Sequence, residues 1–185
     1  MSIPELKIAR KSPVGSVLVI GAVSSATTVS LVSSTKNAAL QKLVDQLDIS
    51  GALDSFTKVI DPENPRRIIA VVGLGSQGDS VGSIRYAAGV AARRLAGTEH
   101  ITLDFDLDTA ETVTAALEGA ALGAYAFDNY KSKPAAKQPV KSVTVVADLK
   151  PALANKAITE ATTAATAVEL VKNLVNTPPN DLYPE

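Results

Sequence analysis

The sequence contains no cysteine and no tryptophan, and its single histidine is His100. A small secreted domain usually carries disulfides, so the lack of cysteine favours a reducing, cytoplasmic location. One histidine excludes a zinc site that needs a histidine pair, and it excludes a catalytic arrangement that needs a second histidine.

Long apolar runs are also absent. No stretch approaches the ~18–20 apolar residues that a membrane-spanning helix needs, and the opening MSIPELKIARKSP lacks the apolar segment of a signal peptide. The formal net charge is −1, so no overall field attracts the chain to nucleic acid or to an anionic membrane. We therefore expect no membrane partner, and DNA is disfavoured as a partner.

Apolar strands alternate with amphipathic helices along the chain. Runs of β-branched residues are typical of buried strands, and apolar spacings of three and four residues are typical of helices. The predicted strands are Val17–Val23, Val29–Val32, Ser55–Ile60, Arg67–Gly73, His100–Phe105 and Val143–Ala147. The predicted helices are Asn37–Leu47, Ser80–Leu95, Thr109–Tyr130 and Ile158–Asn176. This order predicts the α/β class, with a three-layer α/β/α sandwich around a mostly parallel, mixed sheet.

A change in composition predicts a domain boundary near the last helix. Residues 1–154 are expected to form one domain, and residues 155–185 a connector helix and the start of an interdomain segment. The helix over Ile158–Asn176 is rich in threonine and alanine and ends before Pro178 and Pro179, which cannot continue it. Its larger apolar residues form one stripe, Val168, Val171, Leu174 and Val175. We expect this helix to lie outside the core and its stripe to need a partner.

Three blocks of the sequence carry a resemblance to a known family. They are Val71–Gly75 with Ser83–Arg94, Glu118–Ser132 (EGAALGAYAFDNYKS) and Glu169–Glu185 (ELVKNLVNTPPNDLYPE). The third block is the most specific, because an Asn-Thr-Pro-Pro-Asn run after an amphipathic helix is rare by chance. On these blocks the chain resembles the N-terminal, non-catalytic domain of the leucyl (cytosol) aminopeptidases, cut off where the catalytic domain begins.

This resemblance implies a metalloexopeptidase as the full-length parent, which releases N-terminal amino acids from peptides. Two divalent metal ions, manganese or zinc, would polarise the scissile carbonyl and activate a water molecule. The catalytic and metal-binding residues of the family lie in its C-terminal domain, so no catalytic, cofactor-binding or metal residue is expected in this chain. The chain alone is therefore expected to be inactive.

The resemblance also implies a fold similar to macro domains and a place for this domain in a larger assembly. Its expected partners are the catalytic domain of the same parent and the other subunits of a homo-hexamer. The domain would support assembly and access of peptide substrates to the active site, and the apolar stripe of the last helix would be buried partly by the catalytic domain.

A glycine-rich motif leaves a second function open. Gly73-Leu-Gly75-Ser-Gln-Gly78 is a G-x-G-x-x-G sequence between a predicted strand and a predicted helix, a setting in which glycine loops bind phosphates. The motif is not in the first βα unit, however, and Asp79 puts a negative charge where a phosphate would lie. A structural turn is the favoured interpretation, and a macro-like module that binds phosphate or ADP-ribose is the alternative.

Three alternating aspartates and the histidine are the candidate metal ligands. Asp104, Asp106 and Asp108 could share one face, but the glycine and glutamate that a calcium loop would require are missing. A solvated strand end followed by a helix cap is therefore favoured, with a capping-box-like start at Asp108. His100 is predicted to be the first residue of a strand.

Basic residues leave a DNA-binding accessory role as the third hypothesis. The one basic cluster without an acid comprises Lys131, Lys133, Lys137 and Lys141, and two arginine pairs lie at Arg66–Arg67 and Arg93–Arg94. Some members of the resembled family bind DNA through this domain. The near-neutral charge and the absence of interleaved aromatic residues favour solvated loops instead.

Overall fold

β-Branched runs in the sequence form the strands of one sheet in a computed structural model, which describes residues 3–130, 132 and 137–181. The strands in this part of the chain are β1 (Glu5–Ala9), β2 (Val17–Ser24), β3 (Val29–Val32), β4 (Phe56–Asp61), β5 (Asn64–Gly75), β6 (His100–Asp104) and β7 (Ser142–Val146). The helices are α1 (Ala38–Gln46), α2 (Val81–Arg94), α3 (Ala110–Gly123) and α4 (Pro151–Asn176).

The sheet is mixed and mostly parallel. Its strand order is β1-β7-β6-β2-β5-β4, and every neighbouring pair in that order is parallel except β4 with β5. Strand β3 pairs antiparallel with the end of β2. The carboxyl ends of β2, β5 and β6 therefore meet at one edge of the sheet, and their amino ends meet at the opposite edge.

Alternate side chains along the central strands enter two separate cores. Leu18, Ile20 and Val71 pack with helix α1 on one face. Val19 and Val72 pack with the alanine-rich faces of α2, α3 and α4 on the other. Period-two alternation between two apolar faces is expected for a strand that is covered on both sides. The predicted three-layer α/β/α arrangement is confirmed, and the likeness to macro domains stays a prediction.

Glycines allow α2 and α3 to pack with their backbones in contact. A Cβ atom added at Gly119 would lie 2.0 Å from the carbonyl oxygen of Arg85, and one added at Gly123 would lie 2.2 Å from that of Gly89. The spacing of Gly119 and Gly123 predicts such a close approach, and the structure confirms it. At the edge of this contact, the Arg85 guanidinium lies 2.9 Å from the Glu118 carboxylate.

Strand β1 and the end of α3 differ from the prediction. Glu5–Ala9 forms an edge strand parallel to β7, although its alternating charged and apolar residues give only a weak signal in the sequence. The helix predicted over Thr109–Tyr130 ends at Gly123. The chain then leaves the helical path, and this turn allows Tyr125 to reach helix α4.

Helix α4 is longer than predicted, and its first half belongs to the core. It begins at Pro151, where the missing N–H of proline costs nothing, rather than at Ile158. Ala157, Ala161 and Ala165 are buried in the main core. The expectation that this helix lies outside the core is therefore wrong for its first half. The boundary between residues 154 and 155 falls inside α4, and the division into domain and connector stays a prediction.

Threonines on α4 satisfy their hydroxyl groups within the helix. Four threonine hydroxyls each donate to the carbonyl oxygen of the residue four positions earlier. The donors are Thr159, Thr162, Thr163 and Thr166. Threonine is a modest helix former, so packing rather than propensity stabilises this segment. Within the described part of the chain, no helix combines the length and apolar character that a membrane span requires.

Replacement of Gly119 by alanine is expected to lower the free energy of unfolding by about 2–3 kcal/mol, because the new methyl group would separate α2 from α3. Urea unfolding measures the change. The matched control is Gly82→Ala in α2, where no atom lies within 4 Å of the added Cβ. The control should be neutral or gain up to about 1 kcal/mol. Equal stabilities of the two variants would contradict the proposed role of the glycine contact.

Candidate functional site

The Gly73–Gly78 motif is at the carboxyl end of β5, where its glycines approach protein atoms. A Cβ atom at Gly73 would lie 1.8 Å from the carbonyl oxygen of Ala52, and one at Gly78 would lie 2.1 Å from Cγ2 of Val23. Gly75 has a φ of +74°, which favours glycine. Local packing alone thus accounts for all three glycines, in agreement with the favoured interpretation as a structural turn.

An acidic cleft opens beside this turn. It has a volume of about 330 Å³ and lies at the carboxyl ends of the strands, with Asp79, Asp106 and Asp108 around an apolar floor that includes Phe105. The first turn of α2 is already capped, because the Ser80 hydroxyl accepts a hydrogen bond from the Ser83 N–H at 3.1 Å. Carboxylates at the rim repel phosphate, so the geometry disfavours an anionic ligand in this cleft.

The three aspartates have three different environments. Asp104 is buried, and its carboxylate accepts hydrogen bonds from the Ser33 hydroxyl, the Ser34 N–H and the Ser34 hydroxyl at 2.7–2.9 Å. Asp106 has a φ of +52°. The α3 cap is Thr109, whose hydroxyl accepts from the Thr112 N–H. The expectation of a solvated strand end is therefore wrong for Asp104, whereas Asp106 and Asp108 are exposed. The predicted cap at Asp108 is wrong by one residue, because Thr109 caps the helix.

The sequence patterns did not predict the role of Asp104. The one signal for it in the sequence is the serine pair Ser33 and Ser34, which follows β3. This carboxylate joins the exit of β3 to the end of β6, across about 70 residues of chain. Among the residues that the structure describes, no group of three or more His, Cys, Asp or Glu side chains could hold a metal ion.

His100 is the first residue of β6, as predicted. Its Nδ1 lies 2.7 Å from the Ser142 hydroxyl on β7, so its ring joins the amino ends of two neighbouring strands. Glu99 beside it pairs with Lys141. The hydrogen bond and the charge of Lys141 hold the pKa of Glu99 below its usual value.

The basic cluster is not free of acids. Lys141 forms the ion pair with Glu99, and the side chain of Lys137 lies over Gly97. Lys131 and Lys133 lie outside the described residues. The interpretation of these lysines as a cluster without an acid is therefore wrong for Lys141, and a DNA-binding role loses part of its support.

Tyr125 joins the exit of α3 to the last turns of α4. Its hydroxyl donates to Oδ1 of Asn173 and accepts from Nδ2 of Asn176, both at 3.0 Å. The ammonium group of Lys172 lies 4.8 Å from the centre of the Tyr125 ring, within the range of a cation–π interaction. We call these four residues the Tyr125 cluster.

Tyr130 extends the same junction. Its hydroxyl hydrogen-bonds to Asp181, which raises the pKa of Tyr130 above its usual value. Its ring centre lies 5.7 Å from that of Phe127. The aromatic residues of the second resemblance block thus contact the polar residues of the third. This contact was not predicted, because neither block indicates a partner by itself.

The apolar stripe of α4 is exposed to solvent. Val171 is 58 % exposed, Leu174 46 % and Val175 78 %, while Val168 is at 37 %. Leu170 beside them is 60 % exposed. The second half of α4 therefore presents a continuous apolar surface to solvent, in contrast to the buried alanines of its first half.

Comparison with known proteins agrees with this architecture. The family description "Cytosol aminopeptidase family, N-terminal domain" matches residues 17–134, from β2 to the segment after α3. The chain belongs to this family. The third resemblance block lies beyond the matched range, and the family assignment therefore does not depend on it.

Curated relatives extend the likeness. A probable cytosol aminopeptidase of Leifsonia xyli is 39 % identical over the whole of this chain, which spans 38 % of that relative. A probable cytosol aminopeptidase of Clavibacter michiganensis is 38 % identical over 76 % of the chain, a match that covers 29 % of the relative. The chain thus corresponds to well under half the length of these relatives.

Solved structures share the fold. A mutant of tomato leucine aminopeptidase superposes over the whole chain with a TM-score of 0.72 at 23 % identity, and the match covers 41 % of that protein. The bottromycin maturation enzyme BotP gives a TM-score of 0.68 at 25 % identity over 91 % of the chain and 34 % of BotP. Family membership and the mixed α/β fold are consequently established together.

Replacement of Asp104 by asparagine is expected to lower the free energy of unfolding by about 1–3 kcal/mol, because an amide group would face donors that the buried carboxylate now accepts from. Chemical denaturation measures this loss. The same substitution at exposed Asp108 is the control and should change stability by less than about 0.5 kcal/mol. A D104N variant as stable as D108N would show that the three hydrogen bonds are dispensable.

Removal of the Tyr125 hydroxyl in Tyr125→Phe is expected to speed hydrogen exchange of the last two turns of α4 by at least about fivefold, because two hydrogen bonds are lost and each contributes about 0.5–1.5 kcal/mol. Residue-resolved exchange by NMR measures this, with Tyr86→Phe, at an exposed tyrosine, as the control. Unchanged exchange in Y125F, or an already unprotected helix end in the parent chain, would contradict the stabilising role of the cluster.

Proposed function

We propose that this chain is the N-terminal, non-catalytic domain of a metal-dependent leucyl aminopeptidase. The observation that carries the proposal is the 39 % identity over the whole chain to a relative named a probable cytosol aminopeptidase, of which the chain spans 38 %. The parent would release N-terminal amino acids, leucine among them, from peptides in the cytoplasm. The remaining length of the relatives supplies room for a catalytic domain that follows residue 185.

The metal chemistry of such a parent would belong to that second domain. The described residues of this chain contain no group of ligands that fits a metal centre, so they do not fit the two divalent ions expected for the parent. Support for metal dependence comes from BotP, which has been solved in complex with Mn. Manganese or zinc would polarise the scissile carbonyl in the parent.

The second half of α4 would connect and contact the catalytic domain. Its exposed apolar stripe would be buried there, including Val171, Leu174 and Val175. Burial of each large apolar side chain would stabilise the contact between the two domains by about 1.5–3 kcal/mol. The Tyr125 cluster would hold the helix end in one direction as the chain leaves the domain. In a homo-hexameric parent, this domain would support assembly and access to the active site.

The alternative functions have less support. The acidic rim of the carboxyl-end cleft disfavours phosphate or ADP-ribose beside Gly73–Gly78, and the pairing of Lys141 with Glu99 weakens the basic surface that DNA would need. We retain both only as outcomes that a titration with ADP-ribose or duplex DNA would reveal.

The isolated 185-residue chain is expected to hydrolyse leucine p-nitroanilide no faster than buffer, with manganese or zinc added, because its described residues form no metal site. The control is the same protein extended at its C-terminus to the length of the relatives, which should show turnover that a chelator abolishes. Chelator-sensitive turnover by the isolated chain, or an inactive extended protein at all metal concentrations, would overturn the proposal.

A further inference from the structure

A second cleft lies at the amino ends of the strands, on the edge of the sheet opposite the acidic cleft. It has a volume of about 510 Å³, within the size range of small-molecule sites. One wall is the Ser12–Ser16 loop between β1 and β2, and the other is the start of β5 with Arg66, Arg67 and Ile68. We call it the amino-end cleft.

Local hydrogen bonds shape this cleft. An Arg67 guanidinium nitrogen donates to the Ser12 hydroxyl at 3.2 Å, and the Ser16 hydroxyl lies 2.7 Å from that of Thr102 on β6. Gly15 turns the loop with a φ of +88°. The Arg66 N–H donates to Oδ1 of Asn64 at 3.3 Å. Both walls are therefore held in place before any ligand arrives.

The charge of the cleft is positive and uncompensated. Arg10, Arg85 and Arg93 form ion pairs with carboxylates. Within the described ranges, Arg66 and Arg67 form none. No Asp or Glu lines the cleft, and the nearest acid in sequence, Glu63, lies in the β4–β5 turn outside the lining. Two guanidinium groups without an ion-pair partner among the described residues attract an anion.

Apolar side chains complete the lining. Val14 is fully exposed, Ile68 is 49 % exposed, and Val17 and Pro13 also line the cleft. Exposed branched side chains beside two arginines suit a ligand with an apolar body and an anionic group. Guanidinium groups bind planar carboxylate and phosphate oxygens in the same two-pronged geometry.

We propose that the amino-end cleft binds a small amphipathic anion, with its carboxylate or phosphate on Arg66 and Arg67 and its apolar body on Val14 and Ile68. This inference does not depend on the proposed function. The bound anion would lie at the edge of the sheet opposite Gly73–Gly78. That glycine motif is the place where the sequence pattern offers a phosphate site.

The test is an NMR titration of the ¹⁵N-labelled chain with three probes: N-acetyl-leucine, its neutral amide and inorganic phosphate. N-acetyl-leucine should produce saturable shifts at the amides of Gly15, Ser16 and Arg67, and the neutral amide should not. Saturation by phosphate at a similar concentration would overturn the role given to the apolar body. Weaker binding of phosphate would show that both parts contribute.

Charge variants decide the residues involved. Arg66→Gln with Arg67→Gln should weaken binding by at least about tenfold, since it removes both positive charges and their charge-assisted hydrogen bonds to the anion. Arg93→Gln with Arg94→Gln removes the same charge from the end of α2 and should leave binding unchanged. Val14→Asp, at a position without packing, provides a second weakening variant. Shifts that do not saturate, equal binding of the neutral amide, or full binding by R66Q/R67Q would overturn the proposal.

Discussion

The backbone contact between α2 and α3 is the constraint on which the helical layer depends. Gly119 and Gly123 bring α3 against the carbonyl groups of α2, and α3 in turn contacts both β7 and α4. The buried alanines of α4, such as Ala161, then pack on α3 and close the main core. Small residues therefore determine the thickness of this layer, and larger side chains at those positions would displace α3 from α2 and from α4.

Polar contacts between distant segments complete what apolar packing begins. Asp104 joins the exit of β3 to the end of β6, and Tyr125 joins the exit of α3 to the end of α4. Both contacts are directional, because hydrogen bonds require a donor and an acceptor at a defined distance. They consequently hold chain segments that the hydrophobic effect, which is not directional, would leave less well defined.

Charge is divided between the two ends of the sheet. Asp79, Asp106 and Asp108 surround the carboxyl-end cleft, whereas Arg66 and Arg67 line the amino-end cleft. A net charge of −1 therefore conceals two local fields of opposite sign. In this domain of the cytosol aminopeptidase family, the amino-end field and the exposed second half of α4 are the surfaces on which the proposed contacts with a ligand and with a catalytic domain depend.

The sequence by itself determined the order of the elements from β2 onward and the three layers, because the period of apolar residues is a local property. Its three blocks, read as a resemblance, indicated the family. The tertiary structure alone decided the pairing of β1, the end of α3 and the burial of half of α4. It also decided the partners of Asp104 and Tyr125, which lie 70 and 48 residues away. Contacts between residues so far apart leave no period in the sequence, since they depend on which surfaces the fold brings together.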